Sequence, residues 1–245
     1  MSGKDIRLRR IFHADGRAVV VALDHGQFKH EPKGLEDIKE IISSVVDSRV
    51  DGIILNPGPA SQFASVYAGK AALILRLTGA STEHNPNFDY HRQIATVEQA
   101  VALGADAVLV MGFIGGRGEA HSLELLAKIA GDCSRYGMPL IAEMLPVEPD
   151  RFYDTEWIRC AVRVGYELGA DCIKAYFSGE PAYRSVIDSC PVPILIAGGP
   201  KVADPQDMVR QALELGASGV AFGRNIFESN DPTGVTEKLV SMVHS

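Results

Sequence analysis

The sequence predicts a (β/α)8 TIM barrel, and three observations carry that expectation. Short apolar runs alternate with longer segments whose apolar residues recur at helical spacing, the pattern of a parallel sheet covered by helices. There are eight such runs in 245 residues, the number and length of a closed barrel. One phrase also recurs, as LGADAVLV (103–110), GADCIKAYF (169–177) and LGASGVAFG (215–223), with a weaker copy, VDGIILN, from Val50. It reads as a helix ending on a glycine and dropping straight into the next strand. A doubly wound open sheet is the rival, but no GxGxxG turn follows the first run.

In chain order the expected strands are AVVVAL (18–23), GIIL (52–55), ALILRL (72–77), AVLVM (107–111), PLIAEML (139–145), CIKAY (172–176), VPILIA (192–197) and GVAF (219–222). Helices are expected over 35–46, 122–136, 155–168, 204–215 and 233–243. The fourth carries Asp204 as N-cap and Pro205 at its first position, where a missing N–H costs nothing. The irregular stretch TGASTEHNPNFDYH (78–91) follows the third strand and falls on the face where barrel loops carry function. No linker divides the chain, so one barrel domain over 1–245 is expected.

The chain is 46% hydrophobic, with 24 basic against 31 acidic residues and a formal net charge of -7. With no basic cluster beyond RLRR (7–10), this argues against a nucleic-acid partner. No apolar run approaches the roughly 20 residues of a membrane span, and the N-terminus has no apolar leader core, so a soluble cytoplasmic protein is expected. Cys133, Cys160, Cys172 and Cys190 are scattered with no CxxC or CxxH spacing, which suggests reduced, buried thiols and no metal site.

Strand ends of a barrel converge on one mouth, whatever their separation in sequence. The first ends in Asp24-His25-Gly26, the sixth carries Lys174, the seventh runs into Gly198-Gly199-Pro200-Lys201 and the eighth into Gly223-Arg224-Asn225. The last two are the loops where such barrels hold a phosphate, with glycine N–H groups and a short extra helix, here 225–228. Lys201 and Arg224 beside those glycines favour the same ligand.

The positions equivalent to Lys174 in its sister phrases hold Ile54, Leu109 and Ala221, so one unit of a structural repeat has an amine inserted. An amine in an apolar barrel is disfavoured in its charged form, and the neutral form attacks carbonyls to give a Schiff base. The alternative is a structural lysine paired with an inward carboxylate such as Asp24 or Glu143. Asp24 is the expected proton carrier, while His25, next to it, is expected to face away.

As a set, LDHG (23–26), RLTG (76–79), LGADAV (103–108), LGADCIKAYFSG (168–179), AGGPK (197–201) and GRNIF (223–227) resemble the archaeal-type class I fructose-bisphosphate aldolase family. That family also includes aminodideoxyheptulosonate synthases and the thiolase-like enzyme of autoinducer-2 breakdown. The resemblance spans nearly the whole chain. It implies Schiff-base chemistry at Lys174, an acid/base role for Asp24, phosphate held by Gly198, Gly199, Gly223 and Arg224, no metal or cofactor, and a homo-oligomer, often a decamer. One position departs: Leu145 stands where the family's aldolases have a tyrosine followed by Pro-Arg-Gly. Glu143, sharing its face one layer deeper, or Tyr176, sharing the face of Lys174, is left to transfer the proton. Each has a structural alternative, Glu143 as salt-bridge partner of Arg76 or Lys174 and Tyr176 as packing. The expected function is therefore a class I aldolase acting on a phosphorylated ketose such as fructose 1,6-bisphosphate. A Schiff-base enzyme transferring a three-carbon or acyl unit, or a sugar-phosphate-binding barrel without catalysis, are the alternatives.

Overall fold

The computed structural model of the chain describes residues 3–29, 31–85, 90–179, 181–200, 202 and 204–245. Eight parallel strands close into a barrel in sequential order: β1 (Ala18–Ala22), β2 (Gly52–Leu55), β3 (Ala72–Arg76), β4 (Ala107–Ile114), β5 (Leu140–Pro146), β6 (Cys172–Tyr176), β7 (Ile194–Ala197) and β8 (Gly219–Phe222). All eight expected runs are strands. Closure comes at β1 and β8, paired from Ala18 with Gly219 to Val21 with Phe222. Gly219 has φ 127°, and a Cβ there would sit 1.9 Å from the Ala18 carbonyl oxygen, so the seam needs a glycine.

The runs read as continuously apolar because both faces of each strand are buried. Val20, Ile54, Ile74, Leu109, Ile141 and Leu195 fill the barrel, and the alternating residues pack outward against the helices. β4 outruns its expected end at Met111 because Gly112 does not stop it. Met144 of β5 packs where a side chain on Gly112 would lie, its Sδ 2.5 Å from that Cβ position, and pairing continues to Ile114 with Pro146.

Helix starts shift by a few residues where a side chain caps them. The first expected helix begins at Ile38, with the Asp37 carboxylate accepting the Glu40 N–H at 2.9 Å. Asp204 accepts the Gln206 N–H at 2.9 Å but stands one residue before the N-cap, which is Pro205, because the regular helix runs over Gln206–Glu214. The short helix after β8 covers Arg224–Phe227, one residue earlier than expected. Cys160 is exposed, unlike the other three thiols, because it lies on the outer side of the helix Thr155–Glu167. Among the described residues no helix is long and apolar enough to cross a membrane.

The repeated phrase has a definite geometry. Gly104, Gly169 and Gly216 adopt φ of 74°, 99° and 102°, the left-handed turn from helix to strand. In the weakest copy Arg49 occupies that place with φ 62°. The aspartates that follow anchor the N-terminal helix, Gly3–Ile11, across the foot of the barrel. Lys4 pairs with Asp171 at 2.7 Å, Arg10 with Asp106 at 2.8 Å, and His13, just beyond the helix, with Asp51 at 2.7 Å. Ile11 is fully buried in the lower barrel interior, and Phe12 packs beside it. The interior is thus filled from below, and its chemistry lies at the other end.

Candidate active site

Above the apolar interior the strands contribute a layer of four charges: Asp24 just beyond β1, Arg76 of β3, Glu143 of β5 and Lys174 of β6. All four are buried. Arg76 sits at their centre, donating from Nε to Asp24 Oδ2 and from Nη2 to Glu143 Oε2 at 2.7 Å. Lys174 Nζ lies 2.6 Å from Glu143 Oε1. Two cations and two anions balance, which makes burial of all four tolerable. Burial alone would raise the Asp24 carboxyl, but Arg76, with His25 and Lys174, holds it down at about 2. Burial likewise opposes ionisation of Glu143, yet Lys174 and Arg76 keep its carboxyl below the ordinary glutamate value. Both carboxylates are therefore ionised.

These groups floor a cavity of ≈ 260 Å³ whose rim includes Gly198, Gly199, Gly223 and Arg224. The loops after β7 and β8 are stitched by Asn225, which donates from Nδ2 to the Gly198 carbonyl at 2.8 Å and accepts the Val202 N–H at 2.8 Å. Gly199 has φ 61°, and a Cβ there would stand 2.8 Å from the Tyr153 hydroxyl. Such glycines let a ligand approach the backbone closely. Tyr176 lines the same cavity; burial pushes its hydroxyl up to about 12, so it stays protonated. Tyr176 packs against an apolar cluster of Met111, Phe113 and Leu145, of which Met111 and Leu145 line the cavity. Arg76 is further held by the Phe28 ring, 5.0 Å from its guanidinium carbon.

The site residues expected from sequence are thus brought together: Lys174, Asp24, Glu143, Tyr176, Gly198, Gly199, Gly223 and Arg224 all line one cavity. Lys201 lies outside the described residues. Glu143 pairs with both Arg76 and Lys174, as its structural alternative anticipated. His25 corrects its expectation. It lines the cavity beside Asp24, with Nδ1 3.5 Å from Asp24 Oδ1, because β1 ends at Ala22 and strand alternation gives way to the short turn His25–Gln27. Burial, partly opposed by Asp24, lowers its imidazole to about 4, so it is neutral at pH 7. Sequence reasoning missed Asn225 as the clip between loops and gave no sign of Phe28 or Tyr153, which arrive from loops whose paths only the folded barrel fixes.

A closed (β/α)8 barrel with a buried lysine at its mouth beside glycine-rich loops after the seventh and eighth strands has the architecture of the class I aldolases. The chain belongs to the DeoC/LacD family of aldolases, whose family model matches residues 18–229. Among its relatives is a 2-amino-3,7-dideoxy-D-threo-hept-6-ulosonate synthase of Archaeoglobus fulgidus, 38% identical over 246 residues, with 100% of this chain and 92% of that protein covered. A 2-amino-4,5-dihydroxy-6-oxo-7-(phosphonooxy)heptanoate synthase of Streptomyces griseus is 33% identical over 249 residues, covering 99% and 90%. Among solved structures, an archaeal fructose-1,6-bisphosphate aldolase with its catalytic lysine covalently bound to the carbinolamine intermediate superposes with a TM-score of 0.87 at 29% identity, covering 99% of this chain and 100% of that one.

Proposed function

We propose that this chain forms and breaks carbon–carbon bonds next to a ketone held as a Schiff base on Lys174, in a phosphorylated ketose or a close relative of one. The observation that carries the reading is a single cavity with a lysine ammonium on a carboxylate at its floor and glycine loops with Arg224 at its rim. A phosphate seated on the N–H groups of Gly198, Gly199 and Gly223 and on Arg224 leaves the carbonyl of a three-carbon unit over Lys174 Nζ. Glu143, 2.6 Å from that nitrogen, takes its proton. The freed amine adds to the carbonyl, and the proton returns to the departing hydroxyl, which leaves as water. The resulting iminium accepts the electron pair of the adjacent carbon–carbon bond while a base removes the proton of the hydroxyl beyond it. An aldehyde departs and an enamine remains on the lysine. Tyr176, protonated, donates to the oxygen of an aldehyde that the enamine attacks in the reverse or transfer direction. Asp24, tied to Arg76, sets the charge balance that holds Glu143 in reach; of the two carboxylates, Glu143 is the one on the amine.

Within this chemistry we favour transfer of the three-carbon unit to a second carbonyl over simple cleavage of fructose 1,6-bisphosphate. Leu145, buried in the apolar cluster, has no proton to give where the resembling aldolases have a tyrosine. The relative named for a 2-amino-4,5-dihydroxy-6-oxo-7-(phosphonooxy)heptanoate fits this reading: its last three carbons carry the ketone and the phosphate, and the other four are those of an amino acid with an aldehyde.

Borohydride reduction with dihydroxyacetone phosphate or another phosphorylated ketone should leave a covalent adduct on Lys174, read by mass spectrometry, and none in Lys174→Met. That variant should lose at least ~10³-fold in turnover. Absence of the adduct across a panel of phosphorylated ketones, with ligand binding retained, is the behaviour of a binding barrel and sinks the proposal. Product analysis with amino-aldehyde acceptors separates transfer from cleavage.

A further inference from the structure

At the foot of the barrel, on the face opposite Lys174, three residues from distant parts of the chain converge. His13 follows the N-terminal helix, Asp51 directly precedes β2, and His244 caps the end of the helix Pro232–Val243. His13 Nε2 is 2.7 Å from Asp51 Oδ1, His244 Nε2 is 3.0 Å from Asp51 Oδ2, and one ligand atom from each lies within 4.8 Å of the others. The two imidazoles stack with centroids 4.6 Å apart, presenting their Nε2 atoms to one carboxylate.

The Asp51 side chain is only 1% exposed. Its Oδ2 accepts the Val19 N–H and faces His244, but among the described residues Oδ1 has no hydrogen-bond partner. The His13 nitrogen is near enough for a hydrogen bond yet out of line for one. A buried carboxylate oxygen whose only neighbour among the described residues is an exposed imidazole set for no hydrogen bond is a place where an ion can bind.

We propose that His13, Asp51 and His244 form a structural site for a divalent transition-metal ion, Zn²⁺ by the chemistry of its donors. Two imidazoles and a carboxylate suit zinc, whereas magnesium and calcium demand oxygen ligands. Ligand atoms around a tetrahedral zinc stand ~3.3 Å apart for bonds of ~2.0–2.1 Å, so small side-chain shifts admit the ion. The fourth position opens to solvent past His13, whose side chain is 58% exposed. Asp15 supplies the outer support: its Oδ2 lies 2.8 Å from His244 Nδ1, so that with an ion on Nε2 in place of its bond to Asp51 the ring donates from Nδ1 to Asp15. A carboxylate behind a ligating histidine fixes its tautomer and orientation. The ion would tie the end of the N-terminal helix and the last helix to the foot of β2, so its role is to hold the fold and not to assist the chemistry at Lys174.

The test uses the full chain without a polyhistidine tag, stripped with EDTA and titrated with Zn²⁺ by calorimetry and with Co²⁺ by visible absorption. One Zn²⁺ per chain, intense four-coordinate Co²⁺ bands and a melting temperature raised by added Zn²⁺ are expected. His13→Ala and His244→Ala should each weaken Zn²⁺ binding by at least ~10-fold, and Asp15→Asn by ~10-fold. Borohydride trapping at Lys174 should be unaltered in His13→Ala. Failure to bind Zn²⁺ stoichiometrically, or unchanged affinity in the His13 variant, overturns the site. Because His13 is exposed, its variant decides the matter even if His244→Ala fails to fold.

Discussion

Lys174 was legible because its sister positions gave a control within the same chain: Ile54, Leu109 and Ala221 point into the barrel as it does, and none is polar. Its partner was harder to read. Sequence alternation placed Glu143 inward, but only the fold shows the carboxylate on the amine and on Arg76 at once. Glu143→Gln therefore has two effects. Turnover should fall by roughly 10²–10⁴ through loss of the proton shuttle. Stability should fall by about 3 kcal/mol, because Lys174 and Arg76 are left buried with one anion between them. Single-turnover trapping rates and urea titrations read the two separately, and a stability loss with unchanged trapping would make Glu143 purely structural. His25 was misread because alternation was extended past the end of β1, into a turn where it no longer applies.

At the scale of elements, the strands were legible throughout, since burial of both faces writes itself as unbroken apolar runs. Boundaries were less so: the fourth run was expected to end at Met111, and β4 runs on through Gly112, where Met144 fills the space a side chain would take. The helix-to-strand turns were readable as glycines in three copies. In the fourth, Arg49 sits at φ 62° in a conformation that costs a side-chain-bearing residue about 1–2 kcal/mol. Glycine there carries an entropic cost of roughly 0.5–1 kcal/mol. Arg49→Gly should thus stabilise by ~0.5–1 kcal/mol and raise the melting temperature by about 2 °C. The reverse change, Gly104→Ala, meets no atom within 4 Å and should cost about 1 kcal/mol through backbone conformation alone. Calorimetric melting of both variants checks the pair, and equal melting temperatures would show that the turn is not strained.

For the whole molecule, the buried charge layer sets acid stability. Asp24, near 2 in the fold against an ordinary value of 3.8, favours the native state fully above about pH 4 and loses that contribution as pH falls through 2. His25, at about 4 against an ordinary 6.5, is buried neutral, so stability also declines as pH falls from 6.5 towards 4. Urea midpoints should fall between about pH 6.5 and 4 and again between about pH 4 and 2, with the upper limb flattened in His25→Gln. The net charge of the sequence foretold none of this, since it depends on which charges face one another. The apolar stopper of Ile11 and Phe12 under the barrel also governs traffic. Under the proposed transfer, donor, departing fragment and acceptor would share one doorway, so the acceptor would enter after the first fragment has gone. Initial rates at several acceptor concentrations should then plot as the parallel lines of a double-displacement reaction, with excess acceptor competing against donor for the free lysine.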